Sequence, residues 1–83
     1  MKSVRSPDFR KLFEILPKEI QSLAAEKYKL WKSNPRHPSL HFKPVGKYWS
    51  VRINREYRAL CVRAGETFIW FWIGTHSAYN KIV

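Results

Sequence analysis

The feature that most constrains this chain is a change of rhythm at Pro38. Before it, apolar residues recur at helical spacing; after it they alternate with polar ones, which is the period of a strand. Phe9, Leu12, Phe13 and Leu16 follow the i, i+3, i+4, i+7 rule, with Ser6 placed as an N-cap and Pro7 at the first helical position, so a helix is predicted from Pro7 to about Leu16. Pro17 opens a second helix, with Ile20, Leu23, Ala24, Tyr28 and Trp31 turned inward and Lys18, Glu19, Glu26, Lys29 and Lys32 outward. Asn34-Pro35 and His37-Pro38 end it, because a residue before proline avoids the helical region.

Beyond Pro38 the alternation predicts strands at His41 to Val45, Tyr48 to Ile53, Tyr57 to Arg63 and Thr67 to Ile73. The links Gly46-Lys47, Asn54-Arg55-Glu56 and Ala64-Gly65-Glu66 are short, so consecutive strands are expected as antiparallel neighbours in a meander. Residues 2 to 5 are read as a short first strand, and Phe68 to Ile73, apolar on both faces, as an interior one. The expected fold is α+β: an N-terminal helical hairpin packed on one face of a twisted, mainly antiparallel sheet of four to five strands. With 83 residues the chain has room for one core, so residues 1–83 are expected to form a single domain.

Charge narrows the function. Sixteen Lys/Arg against six Asp/Glu give a formal net charge of +10, and the excess gathers on the strands. Between Ser33 and Arg63, Arg36, Lys43, Lys47, Arg52, Arg55, Arg58 and Arg63 stand against one acid, Glu56. Like charges on neighbouring strands repel, so the pattern points to an anionic partner, either nucleic-acid phosphates or protein carboxylates. The single cysteine, Cys61, has no mate in the chain and fits a reducing compartment as a buried thiol. With no signal-peptide pattern and no apolar run long enough to cross a bilayer, the expected location is cytoplasmic, away from membranes.

A three-residue loop at Asn54 to Glu56 pairs Ile53 with Tyr57 and sets Arg52 directly opposite Arg58 on one face. The other face then carries Trp49, Val51, Ile53, Tyr57, Ala59 and Cys61 and is the one the helices cover. A matching three-residue loop at Ala64 to Glu66 would place Trp72 beside Arg58 and add Trp70 and Phe68 to the arginine face. Guanidinium groups beside exposed rings are what single-stranded RNA binding uses, although tryptophans in a small domain more often fill a core. Gly74 to Tyr79 reads as a turn or single helical turn carrying His76 and Tyr79 past the sheet edge. A histidine exchanges its proton near neutral pH and a tyrosine can donate or orient, so the pair is a candidate acid/base site. His37 and His41 flank a proline-broken loop and share no helical face, so a metal site is not expected there.

The order of elements, together with Ser50-Val51-Arg52-Ile53-Asn54-Arg55-Glu56-Tyr57-Arg58-Ala59-Leu60 and a closing strand followed by His76 and Tyr79, resembles the RelE/ParE superfamily of bacterial toxins from type II toxin-antitoxin pairs. In the RelE branch that resemblance implies a metal-independent cut of messenger RNA in the ribosomal A site, with no cofactor. It implies Arg58 as the phosphate-stabilising arginine, His76 as the group acting on the nucleophile or leaving group, and Tyr79 as the C-terminal tyrosine, with Arg52 supplying a second cation. Lys43 and Lys47 match the region where some members have lysines that contact RNA; Arg55 and Trp72 complete the candidate RNA-binding set. No acid stands where some members use a glutamate base, and the chain stops four residues after Tyr79, so a missing or minimal final helix is expected. The partners implied are a cognate acidic antitoxin and the mRNA on its ribosome. Two alternatives stay open: a ParE-like toxin that acts on DNA gyrase without cutting RNA, and a non-catalytic RNA-binding module.

Overall fold

The computed structural model describes residues 2–83. Ser6 caps the first helix as its position predicts: its side chain accepts a hydrogen bond from the Phe9 amide at 3.2 Å and Pro7 opens α1 (Pro7–Glu14). Such a cap contributes about 1 kcal/mol relative to alanine. The helix closes before Leu16 because Gln21 takes over its end. The Gln21 side-chain amide donates to the carbonyls of Glu14 and Leu16, so these orphaned acceptors need no further turn. Pro17 precedes α2 (Lys18–Ser33), and a short 3-10 turn (Pro38–Leu40) follows. His41 closes that turn in the left-handed region, at φ 46°, and this kink delays the next strand from His41 to Lys43.

Five strands form one sheet: β1 (Lys2–Arg5), β2 (Lys43–Val45), β3 (Tyr48–Arg52), β4 (Tyr57–Ala64) and β5 (Thr67–Thr75), in the order β1-β5-β4-β3-β2. The β2 to β5 pairings are the antiparallel meander, and β1 joins β5 in parallel, while the helical hairpin carries the chain from β1 toward β2 at the opposite edge of the sheet. β5 therefore lies between β1 and β4, hydrogen-bonded along both of its edges.

The helices cover the face that carries Val51, Ile53, Ala59 and Cys61, all buried. Trp31 of α2, 1% exposed, is the hub: it meets Phe68, Trp70 and Phe42 edge to face at centroid distances of 5.3, 5.0 and 5.6 Å. Such arrangements contribute about 0.5–1.5 kcal/mol per pair beyond burial. The indole N–H groups of Trp31 and Trp70 have no hydrogen-bond partner, and both rings sit in this edge-to-face cluster. Trp49, expected in the core, packs against it but stays half-buried at its rim, stacked on Phe42.

The β4–β5 connection differs from its predicted form. Ala64 pairs with Thr67, so the turn is the two residues Gly65-Glu66, with Gly65 supplying the left-handed φ of 61°. That one-residue change of register turns Phe68 and Trp70 into the core, 6% and 3% exposed, rather than onto the arginine face. A β-bulge where Leu60 and Cys61 face Trp72 and Trp70 then absorbs one residue and restores Trp72 to the arginine side.

After β5 the chain forms α3 (His76–Ile82), longer than the single turn expected. Thr75 is the N-cap, its hydroxyl oxygen accepting from the Ala78 amide at 3.2 Å. Among the described residues no helix is long and apolar enough to cross a membrane.

Candidate functional site

Arg52 and Arg58 stand directly opposite each other on the β3–β4 ladder, as the Asn54 loop requires. Directly opposed residues put their Cβ atoms about 4.5–5.5 Å apart, so both half-buried cations leave the same side of the sheet as neighbours. The loop between them is built by Asn54, whose Oδ1 accepts from the amides of Glu56 (2.9 Å) and Tyr57 (3.0 Å). The Asn54 carbonyl in turn accepts from the Arg58 guanidinium, as does the Tyr57 carbonyl at 3.0 Å. Arg58 is thus aimed by neutral acceptors that leave its charge uncancelled. Its pKa is lowered, first by burial and then by the charge of Arg52, with Tyr79 acting the other way. No carboxylate is among the influences on it.

The remaining groups arrive from β5 and α3. Gly74 is the cross-strand partner of Arg58, and Trp72 lies two pairs further along, opposite Leu60. The Trp72 indole leans over Gly74 so closely that a Cβ there would sit 2.7 Å from its Cζ2. Only glycine allows this ring, half-buried, to reach the residue that faces Arg58. The His76 amide donates to the Glu56 carbonyl at 2.6 Å, which ties the start of α3 to the Asn54 loop. His76 itself is exposed, and its ring stacks on Tyr79 with centroids 5.8 Å apart and planes 19° from parallel. Tyr79 is 8% exposed and belongs to the packing of α3 against the sheet.

One end of the sheet therefore collects Arg52, Arg58, His76, Tyr79 and the exposed Arg55, with Trp72 beside them. Lys43 shares the face, paired with Ser50 one strand beyond β3. Lys47 does not join the group: it lies in the β2–β3 turn at the other end, its ammonium 5.8 Å from the centre of the Tyr48 ring. Asn54 and Gly74 have structural parts in the site that composition did not reveal. For Asn54 the signal was legible, since an asparagine that opens a three-residue loop commonly caps the amides two and three positions on. For Gly74 it was not, since its role depends on where Trp72 lies. Among the described residues no group of three or more His, Cys, Asp or Glu is placed to hold a metal ion. His37 uses its Nδ1 to accept from the Ser39 amide.

The family described as the ParE-like toxin domain matches residues 18–81. No curated protein matches the chain. Solved structures share its fold. A YoeB/ParE toxin from Agrobacterium tumefaciens superposes with a TM-score of 0.71 at 19% identity, covering 92% of this chain and 99% of that one. YafQ from E. coli strain BL21(DE3) gives 0.72 at 16%, covering 94% and 96%. A chain of the RelB-RelE antitoxin-toxin complex from Methanococcus jannaschii gives 0.73 at 17%, covering 95% and 96%.

Proposed function

Since the chain belongs to the ParE-like toxin domain family of the RelE/ParE superfamily, we propose that it is the toxin of a type II toxin-antitoxin pair and cuts messenger RNA on the ribosome without a metal. The observation that carries this reading is the opposed, uncancelled pair Arg52 and Arg58 at the sheet end where His76 and Tyr79 arrive. RNA cleavage of this kind is attack of a ribose 2′-oxygen on the adjacent phosphorus. The 2′-hydroxyl gives up its proton to a base, a cyclic phosphate forms, and the departing 5′-oxygen takes a proton from an acid. Charge accumulates on the phosphorane oxygens during the attack, and guanidinium groups already standing at the site stabilise it. Arg58 is the better fixed of the two, through Asn54 and Tyr57, and takes the phosphorane. His76 is the proton carrier, with Tyr79 stacked on it to set its plane. Trp72 offers a ring for the flanking base, and Arg55 and Lys43 hold the strand on either side.

The same charge supports an acidic antitoxin as partner. Between α2 and the sheet lies an apolar recess of about 270 Å³, with Phe9, Phe13, Tyr28 and Trp31 among its walls and Arg5, Lys27, Lys29 and Lys32 at its border. Apolar anchors flanked by carboxylates, as an amphipathic acidic helix presents them, complement such a surface.

The test is inducible expression of the wild type beside Arg58→Ala and His76→Ala, read by growth and by mapping transcript 5′ ends. New ends within codons, growth arrest, and loss of both in Arg58→Ala are expected. A folded Arg58→Ala protein that remains as toxic as the wild type refutes the assignment. The family match itself favours a second reading, a ParE-like action on DNA gyrase. Growth arrest with unchanged transcript ends and inhibited supercoiling by gyrase would select it.

A further inference from the structure

The end of the sheet away from the paired arginines carries a second recess, on the helix-covered side. Its volume is about 490 Å³, within the range of pockets that take small ligands. Phe42 and Trp49 form one wall as a stacked pair, with centroids 4.8 Å apart and planes 28° from parallel. Phe68 stands across from them at 66° to Phe42 and 90° to Trp49. The Arg63 guanidinium lies 5.6 Å from the Phe68 ring centre and is steadied by donating from Nε to the Gly65 carbonyl at 2.9 Å. Arg36, exposed, provides a second cation on the rim, and Glu66 the one carboxylate.

We infer that this recess is a second binding site for single-stranded RNA, which takes one unstacked base against the Phe42–Trp49 wall and its phosphate between Arg36 and Arg63. The inference rests on the reading of the chain as an RNA-directed toxin. Its warrant is the combination of chemistries. Aromatic walls stack a base without regard to sequence, while arginines on the rim neutralise the backbone. A core that needed only burial would have closed over Trp49, yet Trp49 and Phe42 stay half-buried with two guanidinium groups beside them. Glu66 gives the base edge an acceptor for an exocyclic amine, the way acidic side chains read cytosine. An acidic protein segment, by contrast, would bring carboxylates toward Glu66 and leave the ring wall without a planar partner. Arg58 and Arg63 are separated along β4 by about 17 Å at strand rise, so a nucleotide here is distinct from the one at the paired arginines. Lys43 and Lys47, on or next to the edge strand β2, line the way from one site to the other.

The test is binding of a fluorescein-labelled mixed-sequence RNA oligonucleotide, by anisotropy across a salt series, in the Arg58→Ala background where cleavage is off. Replacing both Arg36 and Arg63 by glutamine is expected to weaken binding about tenfold. The dependence of log K on log salt should become shallower by about 0.7 for each phosphate that is no longer neutralised. Trp49→Phe, which keeps a ring, should retain most of the affinity, and Trp49→Leu should lose it, with circular dichroism melts reporting that each variant folds. Unchanged affinity and slope in the double glutamine protein overturn the second site while cleavage by the wild type leaves the parent reading standing. Binding that depends on Arg36 and Arg63 in a chain that never cleaves RNA keeps the site and removes the nuclease reading. Preference for polyglutamate over RNA in the same assay overturns the inference in favour of an acidic protein.

Discussion

Arg52→Gln should make the free protein more stable. Arg52 and Arg58 are directly opposed on the ladder, and a like-charged pair in that position costs about 0.2–1 kcal/mol. Removing one charge while keeping a polar side chain of nearly the same reach returns that amount. In a domain of this size 1 kcal/mol moves the melting temperature by about 4–8 °C, so the gain at low salt should be about 1–8 °C. Arg58→Ala should not show the same gain, because it also discards the hydrogen bonds that Arg58 donates to the Asn54 and Tyr57 carbonyls. Salt supplies the control: the screening length shrinks from about 30 Å at 0.01 M to about 3 Å at 1 M, so the advantage of Arg52→Gln should fade across that range. Inorganic sulfate should stabilise the wild type more than Arg52→Gln, because a ligand bound only to the folded state adds its binding free energy to stability. The assay is thermal unfolding by circular dichroism at both salt limits, with and without sulfate. An Arg52→Gln protein that melts at or below the wild type at low salt would show that the two guanidinium groups do not repel in the folded chain, and the inference of an anion between them would fall with it.

Three further outcomes follow from the same geometry. Asn54→Ala strips the acceptor from the Glu56 and Tyr57 amides and should cost about 1–2 kcal/mol in urea unfolding, with a larger loss of RNA cleavage than of RNA binding, since Arg58 is aimed from this loop; equal losses would deny Asn54 a positioning role. Gly74→Ala forces the Trp72 indole aside and should destabilise by about 1–3 kcal/mol while shifting tryptophan emission; an unshifted spectrum and unchanged stability would show that the ring does not lie over Gly74. Cys61, fully buried with its pKa pushed up to about 12 by burial, should react with a thiol reagent at pH 8 only as fast as the chain opens, and rapid labelling under native conditions would contradict its burial. Because that folded pKa is raised, the stability it represents is complete below the unfolded thiol range and is lost as pH climbs from about 8.5 toward 12, so alkaline unfolding should begin in that window.

What the sequence made legible was whatever is decided within a few residues. Ser6-Pro7 caps a helix by local hydrogen bonding, and Asn54 fixes a loop length that in turn fixes Arg52 opposite Arg58. The covered face of β3 and β4 followed at once from period-two alternation. The β4–β5 hairpin was harder because Ala64-Gly65-Glu66 suits a three-residue loop as well as a two-residue one. The choice went to the register that buries Phe68 and Trp70 against Trp31, a contact between residues far apart in the chain. Trp72 then reached the arginine face through a bulge that alternation does not encode, so its placement was anticipated on a register that does not occur. The extent of α3 was missed although Thr75 is a conventional N-cap, because the segment is too short to show a helical apolar period of its own.

The two basic surfaces lie on opposite sides of a single sheet, and this constrains any protein that silences the chain. A partner seated only in the recess beneath α2, among Arg5, Lys27, Lys29 and Lys32, leaves Arg52 and Arg58 uncovered. Binding and inhibition are therefore separable functions of such a partner. A peptide carrying only its recess-filling segment should bind and raise the melting temperature without suppressing RNA cleavage, and suppression requires a further acidic stretch that passes a sheet edge to the arginine side. The β2 edge is the more open route, since β2 is three residues long and pairs only with β3, whereas the opposite edge strand β1 leads directly into α1. If the short peptide alone abolishes cleavage, then the proton carrier or the phosphate cations respond to the helix-side recess through the sheet, and the independence of the two faces is wrong.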